Sequence, residues 1–553
     1  MDRSSGLFLL RSAVLVLSSE LSGAAVAAEL SGQVMSAEEG AMEGVLVTAR
    51  KAGSNISVTV VSDENGHYRF PDGRLETGDY RLRIRAAGYA LQSNRNVSLD
   101  EDGAVADLTL VSTEINAYQL TNTEWLMSMP GPESEKRYLY GCTVCHQLNL
   151  PLSSTYNAEQ IVNDLVPRMA AMSSQSVPGK VQTRLVESGR GGAPEEAIEH
   201  LATYLASVNL STRSKWDFPL QTLPRPSGEA THVIITSYEL PYGDMQPHDS
   251  VRGPDGYVWV SDFGGNRLTR LDPDTGETKV FAYEALRPEG YATGNLDVEF
   301  DEAGNIWLGM MNQTGVAMFD RHGEEFTFYP LPDHMVDERS QQAMVSPTHS
   351  SVDGKVWIND ADHPFIGRLD LASGTFEEWM HPFAELPLRP RHGAYGLYTD
   401  TENNAYLLDF PSENIWRVDA RTGVSTRYPT PTRGSRPRRG RIDSQGRLFF
   451  AEYGAGNVGM FDTKTNDFAE WPVPGPYSMP YDAQHDEHGW VWTNNTMDDR
   501  VTRINIETGE TIQYLMPIEA NGRRVSIDNS GPRPALWMGS NHRATVMRVE
   551  PLE

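Results

Sequence analysis

The chain of 553 residues is too long for one hydrophobic core and implies about three or four domains. Its formal net charge of −28 argues against a nucleic-acid partner, whose phosphates it would repel, and suits a basic redox partner better. Forty-eight glycines and 34 prolines signal many turns and hence a β-rich architecture.

The first residues read as a secretory leader. Arg3 supplies positive charge, apolar runs lie at 7–10 and 13–17, and Ala25-Val26-Ala27 offers a cleavage site. Arg11 and Glu20 interrupt the segment, so no membrane span is expected there. No later run approaches the roughly 18 apolar residues of a transmembrane helix. The expectation is a signal over 1–28 and a soluble periplasmic mature protein.

Residues 29–112 hold short alternating stretches at 30–34, 44–49, 57–61, 68–70 and 80–84, parted by turns at 63–66 and 76–78. Such spacing predicts a small antiparallel β-sandwich. Gly32-Gln33-Val34, Gly44-Val45, the run Ser62-Asp63-Glu64-Asn65-Gly66-His67-Tyr68-Arg69-Phe70, Gly78-Asp79-Tyr80 and Ala87-Gly88-Tyr89 together resemble a carboxypeptidase regulatory-like domain. The resemblance implies a binding or spacer module without chemistry.

Residues 122–212 turn helical, with segments at 124–127, 133–140, 158–172 and 194–208. In the last, Ile198, Leu201, Leu205 and Val208 recur at helical spacing. Between the second and third lies Gly141-Cys142-Thr143-Val144-Cys145-His146, which contains the only two cysteines of the chain. This is the c-type haem attachment sequence. A disulfide or half a zinc site is the alternative, but zinc needs further ligands and the next histidine is His200.

A short all-α segment bearing this motif resembles a monohaem cytochrome c. The resemblance implies one covalent haem c on Cys142 and Cys145, with His146 as proximal iron ligand and a methionine opposite. Met169 and Met172 are the candidates. Leu165-Val166-Pro167-Arg168-Met169 is similar to the helix end that precedes the ligand loop in short cytochromes, which favours Met169 slightly. Attachment outside the cytoplasm also agrees with the export signal.

From 230 to 553 the sequence repeats with a period of about 40 residues. Gly256-Tyr257-Val258-Trp259, Gly304-Asn305-Ile306-Trp307, Gly354-Lys355-Val356-Trp357, Gly446-Arg447-Leu448-Phe449 and Gly489-Trp490-Val491-Trp492 mark successive units. Asn404-Ala405-Tyr406 and Ala535-Leu536-Trp537 are looser copies. Four strands per unit and seven units predict a seven-bladed β-propeller. The last unit lacks a closing strand, and residues 233–241 carry that strand's pattern, so they are expected to complete it.

Pro247-His248, Gly253-Pro254-Asp255-Gly256, Trp259-Val260-Ser261-Asp262, Phe449-Phe450-Ala451-Glu452, Gly456-Asn457 and Ile366-Gly367-Arg368 make the region similar to streptogramin B lyase-like propellers. That resemblance implies inner-strand histidines in the late blades, with a nearby glutamate and magnesium. Counting back from each aromatic gives His248, Leu296, His349 (after a short deletion), Tyr395, Arg438 and Tyr481, with the seventh position undetermined. The late blades thus carry Arg438 and Tyr481 where a lyase presents histidine, and Met479 where its glutamate would stand. These departures argue against lyase chemistry.

The candidate site is therefore a polar ring at one mouth of the channel. His248 and His349 would act as general base or as ligands of a divalent metal. Arg438, Tyr481, Tyr395 and His392 would orient a substrate. Asp262, Asn359, Asp360, Asp409, Glu452 and Asn494 close the following strands, and the structural alternative is that all are satisfied loop hydrogen-bonders. An arginine cluster, Arg433, Arg436, Arg438, Arg439 and Arg441, would hold an anionic substrate, meet haem propionates, or form a solvated loop. Three functions remain open: a periplasmic redox protein that couples the haem to a substrate or partner at the propeller, a propeller lyase or hydrolase with an accessory cytochrome, and a non-enzymatic electron carrier and scaffold.

Overall fold

The computed structural model describes residues 29–113, 119–177, 179–183, 194–336, 340, 342–360, 365–380 and 393–552. The expected leader at 1–28 and His392 lie outside them.

The N-terminal part is a two-sheet sandwich. In one sheet Leu30–Ser36 runs parallel to Leu108–Ser112 and antiparallel to His67–Phe70. In the other, Leu46–Lys51 lies between Ile56–Val61 and Gly78–Arg85. Alternate residues of both sheets, among them Val34, Leu108, Val47, Val58 and Leu82, face inward and form one core.

The middle part is helical. Asn122–Ser128 opens with Thr121, whose hydroxyl accepts from the Glu124 N–H while the Glu124 carboxylate accepts from the Thr121 N–H, a capping box. Glu133–Lys136 passes directly into a 3₁₀ stretch, Arg137–Val144, which carries the first cysteine. The third segment runs from Ala158–Gln160 through a π turn to Val166–Ala171, and Glu195–Val208 closes the group. Trp125, Leu139, Leu148, Leu152, Ile161 and Leu205 fill its core, joined by Met497 from the β-rich part.

From residue 247 to 515 the chain forms six four-stranded antiparallel sheets in succession. The repeat has a physical origin. In three of the sheets the turn aspartate accepts the indole N–H of the tryptophan that follows it: Asp255 from Trp259, Asp301 from Trp307 and Asp486 from Trp492. The buried indole therefore keeps its one donor satisfied, a contribution of about 1 kcal/mol per bond. A further group, Ser526–Asp528, Ala535–Ser540 and Thr545–Pro551, takes Val233–Glu239 as its fourth strand, with Ile235 opposite Val549. First strands pack on one another from the third sheet to the sixth, and Pro247–Arg252 packs on Ala535–Ser540. The architecture is multidomain, mainly β and propeller-like.

One feature left no trace in the sequence. Val233–Glu239 also pairs with Ile56–Val61 of the sandwich, so a single eight-stranded sheet runs from the last propeller-like group into the N-terminal part. The outer edge that this group would expose is thus covered. Arg85 reinforces the joint. It donates to the carbonyls of Met516, Ile518 and Gln119 and pairs with Asp499 at 2.7 Å, both side chains being buried. Among the described residues no helix is long and apolar enough to cross a membrane.

Removing one member of a buried, hydrogen-bonded ion pair strands the other. Arg85→Ala is therefore expected to destabilise the chain by about 3–5 kcal/mol. Chemical denaturation followed by circular dichroism checks this, and an unchanged midpoint would refute the role assigned to Arg85.

Candidate functional site

The first strand of each sheet begins where the second ends. Pro247 pairs with Asp262, Ala394 with Asp409, Pro437 with Glu452 and Pro480 with Asn495. Three of the polar strand ends, Asp262, Asn359 and Asp409, are clasps that accept the N–H groups of Gln246, Met344 and Gly393; in the sixth sheet Asn495 does this for Met479, while Asn494 accepts from the Asp482 N–H. They hold strand starts in place, as the structural alternative has it. Glu452 differs. One of its buried oxygens has no partner, and burial pushes its carboxyl up to about 8.

On this rim the structure brings together His248, Tyr395, Arg438 and Tyr481. His248 Nε2 lies 3.1 Å from the Tyr481 hydroxyl, which is hydrogen-bonded to the Tyr395 hydroxyl. The Arg438 guanidinium stacks 4.0 Å from the centre of the Tyr481 ring and 4.8 Å from that of Tyr395. Phe410 and Tyr453 enclose it further, at 4.6 and 4.7 Å. Arg436 packs on the same two rings and adopts a positive φ of 52° to do so, at a cost of about 1–2 kcal/mol.

His349 is not there. Gln342 pairs with Asp360 at the rim, so the strand Gln342–Ser346 runs away from it and His349 follows at the opposite end. Its Nδ1 contacts the Thr399 hydroxyl at 3.2 Å, and Thr399 ends the neighbouring first strand. The hairpin of this sheet is longer: Gln342 stands 15 residues before Trp357, whereas Pro247 stands 12 before Trp259. The short deletion assumed before Trp357 is in fact a lengthening of three residues, so His349 lies well past the rim.

The seventh position is Arg523. Gly522 bridges Ser540 as Pro247 pairs with Asp262, which puts Arg523 where His248 stands. Its guanidinium lies 5.1 Å from the centre of the Tyr481 ring. Gly522 is again 15 residues before its tryptophan, Trp537, because the turn at 529–534 is long. That long turn was the available signal.

Below the rim the charges are paired. Asp249 accepts from His248 Nδ1 at 2.7 Å, from both terminal nitrogens of Arg439 at 3.0 and 3.1 Å, and from Arg524 at 2.7 Å. Arg439 also reaches Asp297 at 3.0 Å, and Arg441 holds Glu299 bidentately. The arginine cluster is thus divided by strand geometry. Arg439 and Arg441 belong to this buried network, Arg436 and Arg438 to the rim, and Arg433 is exposed.

These surroundings set the protonation states. Burial, aided by Arg439 and Arg523 and only partly offset by Asp249, lowers His248 to about 4. The imidazole is neutral near pH 7, with both ring nitrogens engaged by Asp249 and Tyr481. Burial opposes ionisation of Tyr481, but the guanidiniums of Arg438, Arg523 and Arg439 outweigh it and hold the phenol below its ordinary value. Burial pushes Asp482, in the same network, up to about 7. Among the described residues no group of three or more His, Cys, Asp and Glu side chains is placed to hold a metal ion.

The Cys142–His146 turn sits against this rim. Val144 gives its carbonyl to Arg523 Nη2 at 2.7 Å and to His542 Nε2 at 3.4 Å, and Thr143 gives its own to Asn521 Nδ2 at 3.2 Å. On the other flank Lys180 and Gln182 donate to the Gly264 carbonyl, and Gln182 exchanges bonds with Thr293. The helical part thus touches both the first and last sheets beside the rim. A cleft of about 550 Å³ between Glu133, Tyr140 and the loops at Gly454 and Tyr477 opens alongside.

Both thiols are free of a disulfide, and burial pushes Cys142 up to about 11. The N–H groups of Cys145 and His146 donate to the Cys142 carbonyl, closing the motif into one turn. His146 Nδ1 lies 3.0 Å from the Gln147 carbonyl, which places its proton there and leaves Nε2 unprotonated. Met169 is 38% exposed and Met172 is half-buried, its N–H bonded to the Met169 carbonyl.

Two outcomes are expected. His248 has a folded value below its unfolded one, so the unfolded chain binds more protons between about pH 6.5 and 4 and stability falls as pH falls through that window. Glu452 and Asp482 act with the opposite sign, so the difference between wild type and His248→Gln isolates the histidine. Urea midpoints across pH should converge on acidification, and a pH-independent gap would refute the assignment. Arg439→Ala should cost about 3–5 kcal/mol by stranding Asp249 and Asp297, and a loss below ~1 kcal/mol in urea denaturation would refute it.

Comparisons with known proteins agree with these parts in outline. Residues 29–111 match the model of the carboxypeptidase regulatory-like domain. No curated protein matches the chain. A solved streptogramin B lyase structure is 19% identical, with a TM-score of 0.50, over 59% of this chain and 99% of its own. The virginiamycin B lyase of Staphylococcus aureus is 16% identical, with a TM-score of 0.49, over 57% of this chain and 99% of its own. The first likeness establishes a propeller-type fold for the C-terminal part and nothing about its chemistry.

Proposed function

We propose that this chain is a periplasmic c-type haem protein in which electron transfer is coupled to a binding site at the mouth of a seven-bladed propeller closed by Val233–Glu239. Cys142 and Cys145 would carry the haem covalently, His146 would ligate the iron through Nε2, and Met169 or Met172 would stand opposite. Bound there, the haem supplies one-electron chemistry at a potential set by its axial ligands and surroundings.

The observation that supports the reading is the hydrogen bond from Arg523 to the Val144 carbonyl. Arg523 occupies the seventh rim position and Val144 lies inside the haem-attachment turn, so the two halves meet at the one place where coupling requires it. Two further features fit a haem. The turn leaves His146 Nε2 available, and the helical part exposes Val144, Leu150 and Met169, which a wide apolar group would cover. The rim would then bind and orient a substrate or partner, with Tyr481 exchanging a proton with neutral His248 across their 3.1 Å contact.

The test is direct. Protein exported to the periplasm of a host competent in haem attachment should show a c-type pyridine haemochrome spectrum and keep its haem on denaturation. Cys142→Ser together with Cys145→Ser should abolish covalent haem, and Met169→Ala and Met172→Ala in turn should identify the one whose loss removes the methionine-ligand band. Wild-type protein recovered without covalent haem would overturn the proposal.

A further inference from the structure

We infer that the rim is a carboxylate-binding site built from Arg438 and Arg523, with Arg436 and the hydroxyls of Tyr481 and Tyr395 beside them. The inference rests on the proposed function only where the carboxylate is the haem's own.

Charge accounting carries the argument. The chain has 75 acidic and 47 basic side chains, and the arginines just below the rim are all neutralised by Asp249, Asp297 and Glu299. At the rim the pattern breaks. Arg436, Arg438 and Arg523 have no carboxylate within ion-pair distance among the described residues, although aromatic rings enclose them. The Nε–H groups of Arg438 and Arg523 are buried with no acceptor, as is that of Arg439 below, so the missing carboxylate is what sets the rim apart. Buried guanidiniums are ordinarily paired, because an uncompensated charge away from water is costly.

The three lie in sequence across shared rings. Arg436 and Arg438 stack on Tyr453 at 5.5 and 4.7 Å, and Arg438 and Arg523 flank Tyr481 at 4.0 and 5.1 Å. Mutual repulsion in such a row is relieved by an anion. A guanidinium presents a planar fork that matches a carboxylate, and the stacked rings fix its plane in advance. The depressed phenol of Tyr481 reports the same unbalanced positive field.

The carboxylate has two possible sources, a free small-molecule acid or a propionate of the haem held by the adjoining turn. Both are read on the full-length exported protein. The probes are acetate, succinate and benzoate, followed by calorimetry and by the haem midpoint potential. Arg438→Gln, Arg523→Gln and the charge-keeping Arg438→Lys are compared with exposed Arg433→Gln, and thermal melts confirm folding.

If the source is a free acid, wild type binds a probe saturably, Arg438→Gln or Arg523→Gln weakens it about ten- to a hundred-fold, and the potential without probe is unchanged. If a propionate fills the site, no probe binds. The potential then falls in both glutamine variants, because positive charge beside the haem favours its reduced form, and it falls less in Arg438→Lys. Folded variants that alter neither binding nor potential overturn the inference. Arg438→Lys preserves the charge and serves where a glutamine variant fails to fold. Haem content is measured separately. A chain without haem that binds acetate refutes the proposed function alone, and a haem-bearing chain with neither effect refutes this inference alone.

Discussion

The Asp249 carboxylate is the node on which the C-terminal architecture depends. It belongs to the first sheet, accepts from Arg439 of the fifth and Arg524 of the seventh, and takes the Val298 N–H of the second. Through His248 it also fixes Tyr481 of the sixth. Five sheets therefore converge on one anion whose charge is stabilised only if all its donors are in place. Such a centre specifies how the sheets meet, which apolar packing between similar strands does poorly.

That centre also explains the rim. Asp249, Asp297 and Glu299 are held by Arg439, Arg441 and Arg524, and among the described residues no carboxylate lies within ion-pair distance of Arg438 or Arg523 above. Their field lowers Tyr481, while burial, aided by Arg439 and Arg523, lowers His248, giving a phenol and a neutral imidazole in contact. Against this side of the ring the chain places its only cysteines, anchored through the Thr143 and Val144 carbonyls. The resemblance to streptogramin lyases implies histidines where Arg438 and Tyr481 stand, and His248 on this rim has both nitrogens engaged.

Much of this was legible before any coordinates. The four-stranded repeat was legible in turn aspartates and glycines set before an aromatic residue, and in three of the sheets the indole uses that aspartate as its acceptor. Positions 248, 395, 438 and 481 were correctly placed on one rim since their hairpins share one length. His349 was misplaced because a short deletion was assumed where the hairpin is three residues longer, and the same lengthening before Trp537 left the seventh position, Arg523, undetermined. Strand alternation could have divided the arginine run, sending Arg439 and Arg441 inward, but a bulge between Pro437 and Gly440 breaks strict alternation there. The sheet shared between Val233–Glu239 and the sandwich was illegible, since edge pairing uses backbone groups that every sequence has.

The central claim is that a haem on the Cys142–His146 turn faces the propeller rim. A crystal structure of the exported protein, with iron located by its anomalous scattering, tests it most directly. The account predicts one iron beside His146 Nε2, with Val144 still bonded to Arg523 and the porphyrin edge against the ring of Arg438, Tyr481 and Arg523. No iron at His146, or an iron-bearing turn swung away from Arg523 into solvent, would contradict it.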